Sequence, residues 1–351
     1  MKVAKLYSFD DIRIEDVPVP KAEAGSALMK TRACGICSGD VMPWYIEKKA
    51  PLVLGHEPTG EIIAFGSSLA THYSSLSIGD RIFTHHHAPC LKCRYCRRGD
   101  HVQCETWKAT KIIPGGISEY ILIPEINLKN DTLKLPENMT FEDGTLIEPT
   151  ACVLKGFKRA GFEFKKPSIS ERTVLVIGLG VMGQLNILVA RRFGAWRIIG
   201  ADRVPYRLKK AMEFGADDVV DVSKENLVDY VRKITGGYMA DLVIVGPNSA
   251  EAMKEGISVV GAGGTILLFA PAKPEEKLTI DPNYLYFRDV NIVTSYSCGP
   301  SETVEALKLI EEGIVRADKL ITHRFPIEET AVAFKVAAEA KNSLKVIITF
   351  D

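Results

Sequence analysis

The feature that most constrains the fold is a buried strand that runs directly into a glycine-rich turn and a helix. Residues 173–177 form a continuous apolar run, Thr-Val-Leu-Val-Ile, which is typical of a strand covered on both faces in a parallel sheet. The turn Gly178-Leu-Gly-Val-Met-Gly183 follows at once, and residues 181–193 carry a helical pattern. Strand and helix patterns then alternate as far as residue 294, which predicts a doubly wound α/β sheet.

The spacing of the glycines in this turn predicts a dinucleotide-binding site. Gly178 would make the tight turn after the strand, and Gly180 would let the backbone approach a pyrophosphate. Gly183 would allow the helix to pack closely on the strand. The first helical residues, Val181 and Met182, would place the positive end of the helix dipole at the phosphates. A G-x-G-x-x-G pattern alone is a weak signal, but its position between a buried strand and a helix strengthens it.

An acidic residue at the end of the next strand pattern indicates which dinucleotide binds. The apolar run at residues 197–201 is followed by Asp202, 24 residues after Gly178. A carboxylate there accepts hydrogen bonds from the adenosine ribose hydroxyls and repels a 2′-phosphate, which favours NAD over NADP. Arg203 and Arg207 are also predicted to contact the cofactor, and Arg203 could tolerate a phosphate. The alternative is a doubly wound core that binds no nucleotide.

Four closely spaced cysteines predict a structural metal site. They follow the pattern C-x2-C-x2-C-x7-C and are Cys90, Cys93, Cys96 and Cys104. Four thiolates this close can enclose one tetrahedral Zn²⁺, which would hold a loop and take no part in chemistry. Two disulfides would close very small rings, and clustered cysteines in an intracellular enzyme favour a metal. Iron–sulfur ligation is the main rival, but the ferredoxin pattern has a shorter last gap.

Composition excludes several classes of protein. A chain of 351 residues exceeds one ordinary core and predicts two domains. Lys plus Arg and Asp plus Glu both number 44, so no net field attracts nucleic acid or an anionic membrane. No segment approaches the roughly 18 apolar residues that span a bilayer. The first residues indicate a β-hairpin rather than a signal peptide, so we expect a cytoplasmic protein.

Two different patterns divide the chain. Residues 1–150 carry short β-like runs, dense turn signals and few helical patterns, which indicates a β-rich, barrel-like domain. Residues 151–295 carry the alternation of strands and helices. Residues 296–351 break that alternation and are more similar to the first part. We therefore predict that residues 296–351 fold back onto residues 1–150, and that residues 151–295 form a separate domain.

Two further patches and one acidic residue could bind a second metal ion. Cys37 lies in the motif C-G-I-C, His56 and Glu57 lie in the motif G-H-E, and Glu148 lies at the predicted domain junction. A catalytic zinc takes three protein ligands and keeps one position open. Cys37, His56 and Glu148 would supply sulfur, nitrogen and oxygen. Sequence spacing does not bring them together, and each could instead be a packing or surface residue.

These motifs together resemble the zinc-dependent medium-chain dehydrogenases/reductases, the superfamily of alcohol, sorbitol and threonine dehydrogenases. The resemblance spans nearly the whole chain in the family order, and it implies a GroES-like β-rich catalytic domain joined to a Rossmann doubly wound domain. The matching blocks are C-G-I-C-x2-D at 34–40, G-H-E at 55–57, the four-cysteine segment at 90–104, P-G-G-x-x-E-Y at 114–120, E-P at 148–149, G-L-G-V-M-G at 178–183 and S-L-K near the end.

The resemblance also assigns residues to the two sites. It implies that Cys37, His56 and Glu148 bind a catalytic zinc. Glu57 is expected beside the zinc, where it binds transiently when water exchanges. Glutamate at position 148 is similar to the polyol dehydrogenases, whereas the alcohol dehydrogenases have cysteine there. Lys345 matches a basic residue that reaches the cofactor pyrophosphate in relatives. The residues expected near the nicotinamide are Ser295 and Tyr296.

One position departs from the family pattern. Alcohol and polyol dehydrogenases carry Ser or Thr two residues after the zinc cysteine, as the first link of a proton relay, but this chain has Gly39 there. Ser38 carries the nearest hydroxyl, and either it takes over that role or the proton leaves another way. His87 is the other candidate, because threonine dehydrogenases have a functionally important histidine at that position. The run of histidines that ends at His87 could instead be a packing feature.

These features predict the reversible oxidation of a secondary alcohol to a ketone, with a catalytic zinc as Lewis acid and NAD as hydride acceptor. Glu148 favours a polyol or sugar-like substrate, and L-threonine or another amino alcohol, or a sugar phosphate, is the alternative. A catalytically silent, NAD-binding zinc scaffold is a further alternative, which only Gly39 favours. By resemblance we expect a homodimer or homotetramer that binds a small-molecule alcohol and neither nucleic acid nor membrane.

Overall fold

The chain crosses between two structural units twice. The computed structural model describes residues 1–67, 76–162 and 171–351. Unit 1 comprises Met1–Ala151 and Cys298–Asp351, and unit 2 comprises Cys152–Ser297. The boundaries predicted from the sequence, 150/151 and 295/296, lie one and two residues from those of the structure.

Strands form where β-branched and apolar residues are dense. In chain order they are β1 (Lys2–Ser8), β2 (Asp11–Asp16), β3 (Ala27–Gly35), β4 (Leu52–Val53), β5 (Glu57–Phe65), β6 (Arg81–Thr84), β7 (Tyr120–Ile123), β8 (Thr132–Lys134), β9 (Thr173–Ile177), β10 (Arg197–Asp202), β11 (Asp218–Asp221), β12 (Ala240–Val245), β13 (Val260–Leu268), β14 (Asn291–Thr294), β15 (Ile321–Pro326) and β16 (Lys345–Thr349).

The helices in the first segment of unit 1 are mostly short, and longer helices lie in unit 2 and in the second segment of unit 1. In chain order they are α1 (Pro43–Ile46), α2 (Arg94–Arg97), α3 (Glu105–Ala109), α4 (Glu125–Asp131), α5 (Phe141–Gly144), α6 (Ile147–Arg159), α7 (Val181–Arg192), α8 (Pro205–Glu213), α9 (Leu227–Ile234), α10 (Ala250–Ser258), α11 (Pro282–Tyr286), α12 (Pro300–Glu311), α13 (Ala317–Leu320) and α14 (Thr330–Glu339). None of the helices in the described ranges has both the length and the apolar character that crossing a bilayer requires.

A seven-stranded sheet organises unit 1. Its order is β15-β16-β3-β5-β6-β8, and β7 also pairs with β3. A smaller sheet has the order β2-β1-β4, in which β1 and β2 form the predicted N-terminal hairpin. Strand β16, from the C-terminal segment, lies directly beside β3. Residues from both ends of the chain therefore share one sheet.

Apolar side chains from both segments of unit 1 also share one core. Leu6 and Leu54 from the first segment pack in a cluster with Phe334 and Val346 from the second. Phe334 is only 1% exposed, and truncation of a buried Phe to Ala commonly costs about 3–5 kcal/mol. The second segment is thus part of the core of unit 1 and not an appendage.

Unit 2 is a six-stranded parallel sheet. Its order is β11-β10-β9-β12-β13-β14, and every pairing between neighbours is parallel. Counted from its own first strand, this is the order 3-2-1-4-5-6 of a doubly wound dinucleotide-binding fold. All five residues of β9, at the centre, are buried. The predicted doubly wound sheet is confirmed, and the glycine turn lies at the end of its central strand.

The substitution Gly60→Ala tests how closely β5 packs against β3 in unit 1. A Cβ at this position in β5 would lie 2.1 Å from the carbonyl oxygen of Lys30 and 2.8 Å from Cγ of Met29. We expect Gly60→Ala to lower the free energy of unfolding by about 1–3 kcal/mol or more, because the obstructing oxygen belongs to the backbone of β3. Denaturant unfolding measures the difference.

Gly39→Ala is the matched control for this measurement. A Cβ at Gly39 would meet its nearest atoms at 3.5 and 4.0 Å, which is ordinary van der Waals contact. Equal stability of the two variants would contradict the close approach of β5 to β3.

Candidate functional site

The four clustered cysteines converge in unit 1. One ligand atom from each of Cys90, Cys93, Cys96 and Cys104 lies within 4.8 Å of the other three. The Sγ atoms of Cys93 and Cys96 are 3.5 Å apart, and those of Cys90 and Cys104 are 3.6 Å apart. A disulfide requires about 2.05 Å. Two thiolates on a tetrahedral zinc, each with a Zn–S bond of about 2.3 Å, lie about 3.8 Å apart. The spacing therefore fits a zinc ion rather than disulfides.

Backbone amides support the thiolate form of two of these cysteines, Cys90 and Cys104, whereas burial raises the pKa of Cys96 to about 12. The N–H groups of Lys92 and Cys93 donate to Sγ of Cys90 at 3.4 and 3.3 Å and lower its pKa. Burial by itself raises the pKa of Cys104, but the N–H groups of Cys90 and Trp107 outweigh it and lower that pKa to about 6. Since the thiolate is the metal-binding form, the loop is prepared for a cation.

A second group of metal-binding side chains forms where two paired strands meet. Cys37 follows the end of β3, and His56 and Glu57 lie at the start of β5. The two strands are antiparallel with Gly35 opposite Glu57, so the end of one lies beside the start of the other. One ligand atom from each of Cys37, His56 and Glu57 lies within 4.8 Å of the other two. Sulfur, nitrogen and carboxylate oxygen are all zinc ligands.

Asp40 orients the histidine of this group. Its Oδ2 lies 3.2 Å from Nδ1 of His56, and Asp40 is only 4% exposed. Burial by itself lowers the pKa of His56, but the charges of Asp40 and Cys37 outweigh burial and raise that pKa well above its ordinary value. A carboxylate that holds one ring nitrogen leaves the other for a metal, as is common around zinc. The same negative surroundings attract a divalent cation.

A buried lysine pairs with the carboxylate of this group. Nζ of Lys345 forms an ion pair with Oε2 of Glu57, and each side chain is 1% exposed. Nζ also donates to the carbonyl oxygen of Ile36 at 3.1 Å. Burial raises the pKa of Glu57, although the Lys345 ammonium opposes that rise. Lys345, expected from the sequence at the cofactor pyrophosphate, therefore lies at Glu57 within unit 1.

A glycine makes room for this ion pair. A Cβ at Gly35 would lie 1.9 Å from Oε2 of Glu57 and 2.7 Å from Cε of Lys345. Within the part of the chain that the structure describes, no group hydrogen-bonds to the other carboxylate oxygen of Glu57, Oε1. An unpartnered oxygen on a buried carboxylate fits a metal ligand.

Glu148, which the family resemblance assigns to the same metal, also lies in unit 1. One ligand atom from each of Glu148, His85 and Cys298 lies within 4.8 Å of the other two, whereas Glu57 is the third member beside Cys37 and His56. Glu148 still acts on the neighbouring group, because its charge adds to burial in raising the pKa of Glu57. The charges of Glu148 and Lys345 thus both act on the pKa of Glu57, so these three residues lie in one small region of unit 1.

The two candidates for a proton path have different surroundings. Ser38 is exposed. His87 is half-buried, its Nδ1 contacts the carbonyl oxygen of Thr110, and its ring centroid lies 4.2 Å from Trp107 and 4.0 Å from His86. Burial lowers the pKa of His87 to about 4, so its ring is neutral near pH 7.

The glycine turn of unit 2 has the geometry of a dinucleotide loop. Gly178 has φ of +86°, which only glycine adopts at low cost. A Cβ at Gly183 would lie 2.1 Å from the carbonyl oxygen of Gly178, so the helix packs closely there. A Cβ at Gly180 would meet no described atom within 4 Å, which leaves space for a ligand. Helix α7 begins at Val181, and its first N–H groups suit a phosphate.

Asp202 holds the end of β10 beside this turn. Its Oδ2 accepts the N–H of Leu179 at 2.6 Å, and its Oδ1 accepts those of Arg203 and Val204 at 2.7 and 2.9 Å. Nη1 of Arg207 lies 3.5 Å from Oδ2. The carboxylate is therefore fixed next to the glycine turn, and the Arg203 side chain is exposed.

The residues expected near the nicotinamide follow the last strand of unit 2. Tyr296 is 56% exposed, and its carbonyl oxygen accepts a hydrogen bond from Nζ of Lys155 at 2.6 Å. Oγ of Ser295 is buried and has no hydrogen-bond partner within the described ranges. A short segment with one exposed ring and one unpartnered hydroxyl thus follows β14.

Sequence reasoning did not select several residues that support these groups. Asp40 belongs to the quoted block C-G-I-C-x2-D, so its position carried a signal. His85 belongs to the histidine run that ends at His87, and the run alone does not distinguish it from a packing residue. Asp131, which contacts His85, and Cys298 are isolated in the sequence, and no local pattern marks them.

Family models match both units. Residues 23–137 match a model described as an alcohol dehydrogenase GroES-like domain. Residues 181–312 match a model described as a zinc-binding dehydrogenase. The first match confirms the GroES-like character predicted for the β-rich unit.

Known proteins are similar to the chain over almost its full length. It is 32% identical over 346 residues to an L-threonine 3-dehydrogenase of Rhizobium etli strain CIAT 652, and the match covers 95% of this chain and 94% of that protein. It is 30% identical over 359 residues to a sorbitol dehydrogenase of Bombyx mori, covering 98% and 97%. A solved structure from Sinorhizobium meliloti 1021, described as a zinc-binding dehydrogenase bound to NADP, matches with a TM-score of 0.86 at 27% identity over 99% of each chain. From its motifs, its fold and these relatives, the chain belongs to the zinc-dependent medium-chain dehydrogenase/reductase superfamily.

Proposed function

We propose that this protein is an NAD-linked dehydrogenase that reversibly oxidises a secondary hydroxyl group of a polyol or sugar-like substrate to a ketone. The observation that carries the proposal is the group Cys37, His56 and Glu57 with its buried supports Asp40 and Lys345. An oriented donor set of three different atoms suits a zinc ion that keeps an open position. The sorbitol dehydrogenases among the relatives support the substrate class.

In this proposal the residues of unit 1 bind and orient the catalytic metal. Cys37, His56 and Glu148 hold it, as the family resemblance implies, and Glu57 lies beside it. Asp40 keeps the imidazole in one orientation, and Lys345 balances the buried charge of Glu57. When bound, zinc supplies a Lewis acid that lowers the pKa of the substrate hydroxyl, and the nicotinamide accepts a hydride.

We assign the exit of the substrate proton to Ser38 rather than His87. Because burial holds the pKa of His87 at about 4, keeping a proton on this ring at pH 7 would cost about 4 kcal/mol. Ser38 is exposed and can pass a proton directly to water. Gly39 would then not block catalysis, because the relay would start one residue earlier.

Asp202 supports NAD rather than NADP as the cofactor. Its carboxylate is fixed beside the glycine turn by three backbone N–H groups. A fixed negative charge there favours ribose hydroxyls and opposes a 2′-phosphate. The exposed Arg203 is the neighbour through which NADP could still bind.

A second candidate substrate is an amino alcohol such as L-threonine. The relative from Rhizobium etli, at 32% identity, is an L-threonine 3-dehydrogenase. His87, at the position where threonine dehydrogenases have an important histidine, is fixed against Thr110 and Trp107 as a neutral ring. Measured substrate preference decides between the two classes.

We further propose a cytoplasmic homo-oligomer. Strand β14 is an edge strand of the sheet of unit 2, and sheet edges readily pair with another copy. The eight cysteines all lie in the described ranges and form no disulfide, which suits a reducing compartment.

A substrate panel tests the proposed activity. Zinc-replete protein and NAD⁺ are mixed with simple alcohols, polyols, inositols, sugar phosphates and L-threonine, and the absorbance of reduced nicotinamide is followed. We expect turnover with a polyol or related sugar alcohol. Cys37→Ala should lower kcat/KM by about a thousand-fold, because the metal contributes several kcal/mol to such reactions. Absence of turnover with every class, in protein shown to bind zinc and NAD, would favour the silent scaffold.

Cys34→Ala is the matched control for Cys37→Ala. Cys34 lies in the same motif, is fully buried, and belongs to none of the described metal-binding groups. It should retain the zinc that Cys37→Ala loses. Loss of the same zinc from both variants would mean that the motif acts only through folding.

Cys90→Ser tests the structural zinc. We expect the zinc content to fall by one ion per chain, because a closed site depends on all four thiolates. The melting temperature should fall by about 2–4 °C for each kcal/mol lost. Elemental analysis and calorimetry measure both, with Cys152→Ser as the control cysteine outside the described metal-binding groups. Unchanged zinc content and melting would show that the four cysteines bind no metal.

Asp202→Asn tests the cofactor assignment. This change removes the charge of the side chain but keeps its shape. It should weaken NADH binding by about ten-fold to a hundred-fold, because the hydrogen bonds to the ribose would no longer be made to a charged group. NADPH binding should weaken less. Nicotinamide fluorescence gives both dissociation constants, and Arg203→Ala should shift the ratio in the opposite sense. An unchanged ratio for Asp202→Asn would remove Asp202 from the ribose site.

A further inference from the structure

Two exposed lysines follow the metal-binding Cys37 closely in the chain. After Cys37 comes helix α1, and a single 3₁₀ turn, Glu47–Lys49, follows α1. Within the described ranges, neither Lys48 nor Lys49 forms an ion pair or a side-chain hydrogen bond. The adjacent carboxylate of Glu47 accepts the N–H of Phe9 at 2.8 Å. Two positive charges are therefore left without an acidic partner among the described residues.

Tyr45 places Lys49 near the metal-binding sulfur. A Cβ at Gly39 would lie 3.5 Å from Sγ of Cys37 and 4.0 Å from Cε1 of Tyr45, so both atoms border the same small space. Nζ of Lys49 lies 3.8 Å from the centroid of the Tyr45 ring. One aromatic ring thus separates the ammonium group from the candidate metal group.

The aromatic rings hold both ammonium groups in place. A cation above an aromatic face is attracted by the negative face of the ring. Nζ of Lys48 lies 5.7 Å from the Trp44 ring, and the rings of Trp44 and Tyr45 meet edge to face with centroids 5.9 Å apart. Because these contacts already restrict two flexible side chains, less freedom is lost when an anion binds them.

The charge of Lys49 also reaches the histidines beside the metal group. The ring centroid of His86 lies 4.9 Å from that of the metal-binding His56. Burial, followed by the neighbouring imidazoles, lowers the pKa of His86 well below its ordinary value, and the charge of Lys49 adds to this effect. A substrate bound at the metal would therefore lie within the field of Lys49.

A donor without an acceptor lies in the same segment. Nε1 of Trp44 is buried, and no group in the described part of the chain accepts its hydrogen. The indole N–H can only donate, and a buried donor without an acceptor is uncommon in proteins. An oxygen atom of a bound substrate would supply the acceptor.

We propose that Lys49, together with Lys48, binds an anionic group of the substrate, so that the polyol oxidised by this protein carries a phosphate or a carboxylate away from the reacting hydroxyl. The inference rests on the proposed function, since these lysines lie beside its metal group. A lysine ammonium binds either anion as a compact point charge. Two lysines favour phosphate, which carries about 1.5 to 2 negative charges near pH 7.

Three substrates with the same length of carbon chain test the proposal. Sorbitol, sorbitol 6-phosphate and gluconate are compared with zinc-replete protein and NAD⁺. We expect kcat/KM to be at least ten-fold higher for sorbitol 6-phosphate than for sorbitol. A higher value for gluconate than for the phosphate would identify the anion as a carboxylate. Equal values for all three would overturn the inference and leave the dehydrogenase standing, whereas turnover of none would overturn both.

Substitutions of Lys49 test whether its charge selects the anion. Lys49→Met keeps the apolar stem and should lower the ratio of kcat/KM for the anionic substrate to that for sorbitol by about ten-fold, through a higher KM. Lys49→Arg keeps the charge and can stack on the Tyr45 ring, so it should retain the ratio. Lys21→Met, at an exposed lysine outside this segment, is the control and should also retain it. An unchanged ratio in Lys49→Met would overturn the assignment.

Calorimetric titration gives a readout that needs no turnover. Zinc-loaded protein without NAD⁺ is titrated with sorbitol 6-phosphate at increasing concentrations of sodium chloride. Because salt screens an exposed charge, the dissociation constant of wild type should rise more steeply with salt than that of Lys49→Met. The same salt dependence in both proteins would show that Lys49 does not bind the anion.

Discussion

The ion pair between Lys345 and Glu57 connects the sheet of unit 1 to its candidate catalytic group. Both side chains are 1% exposed, so neither charge is solvated, and each depends on the other. Removing one partner of such a pair commonly costs about 3–5 kcal/mol, because the other charge stays buried alone. Gly35 lies on β3, between β5 and β16, and provides the space in which the pair forms. The position of the metal-binding carboxylate is thus set by three neighbouring strands.

Much of the fold could be predicted because its signals are local. The run at residues 173–177, the glycine turn and the following helix are contiguous, so one short stretch predicts the centre of the doubly wound sheet. The β-branched run Lys345–Thr349 of β16 is a local signal of the same kind. The partner of β16 was less predictable. An apolar alternation shows that a strand exists, but the pairing of β16 with β3 joins residues more than 300 positions apart, and no local pattern specifies it.

The candidate site was predictable in its residue types and less so in its grouping. The motifs C-G-I-C and G-H-E supply Cys37, His56 and Glu57, and the antiparallel pairing of β3 with β5 brings them together. Glu148 was expected with them from family resemblance. Its place beside His85 and Cys298 depends on where α6 and α12 begin, which is a property of tertiary packing. Lys345 likewise could be recognised as important, but only the sheet order shows that it faces Glu57.

The discontinuity of unit 1 has a consequence for the order in which the protein is made. Its interior strand β16 is synthesised after every strand of unit 2. On the ribosome, β3 therefore emerges long before the neighbour that covers one of its edges. Until Lys345 follows, Glu57 has no cation beside it and its carboxylate must remain solvated or take up a proton. Unit 2 can complete its sheet during synthesis, whereas the catalytic group of unit 1 can be assembled only after Lys345 has been synthesised.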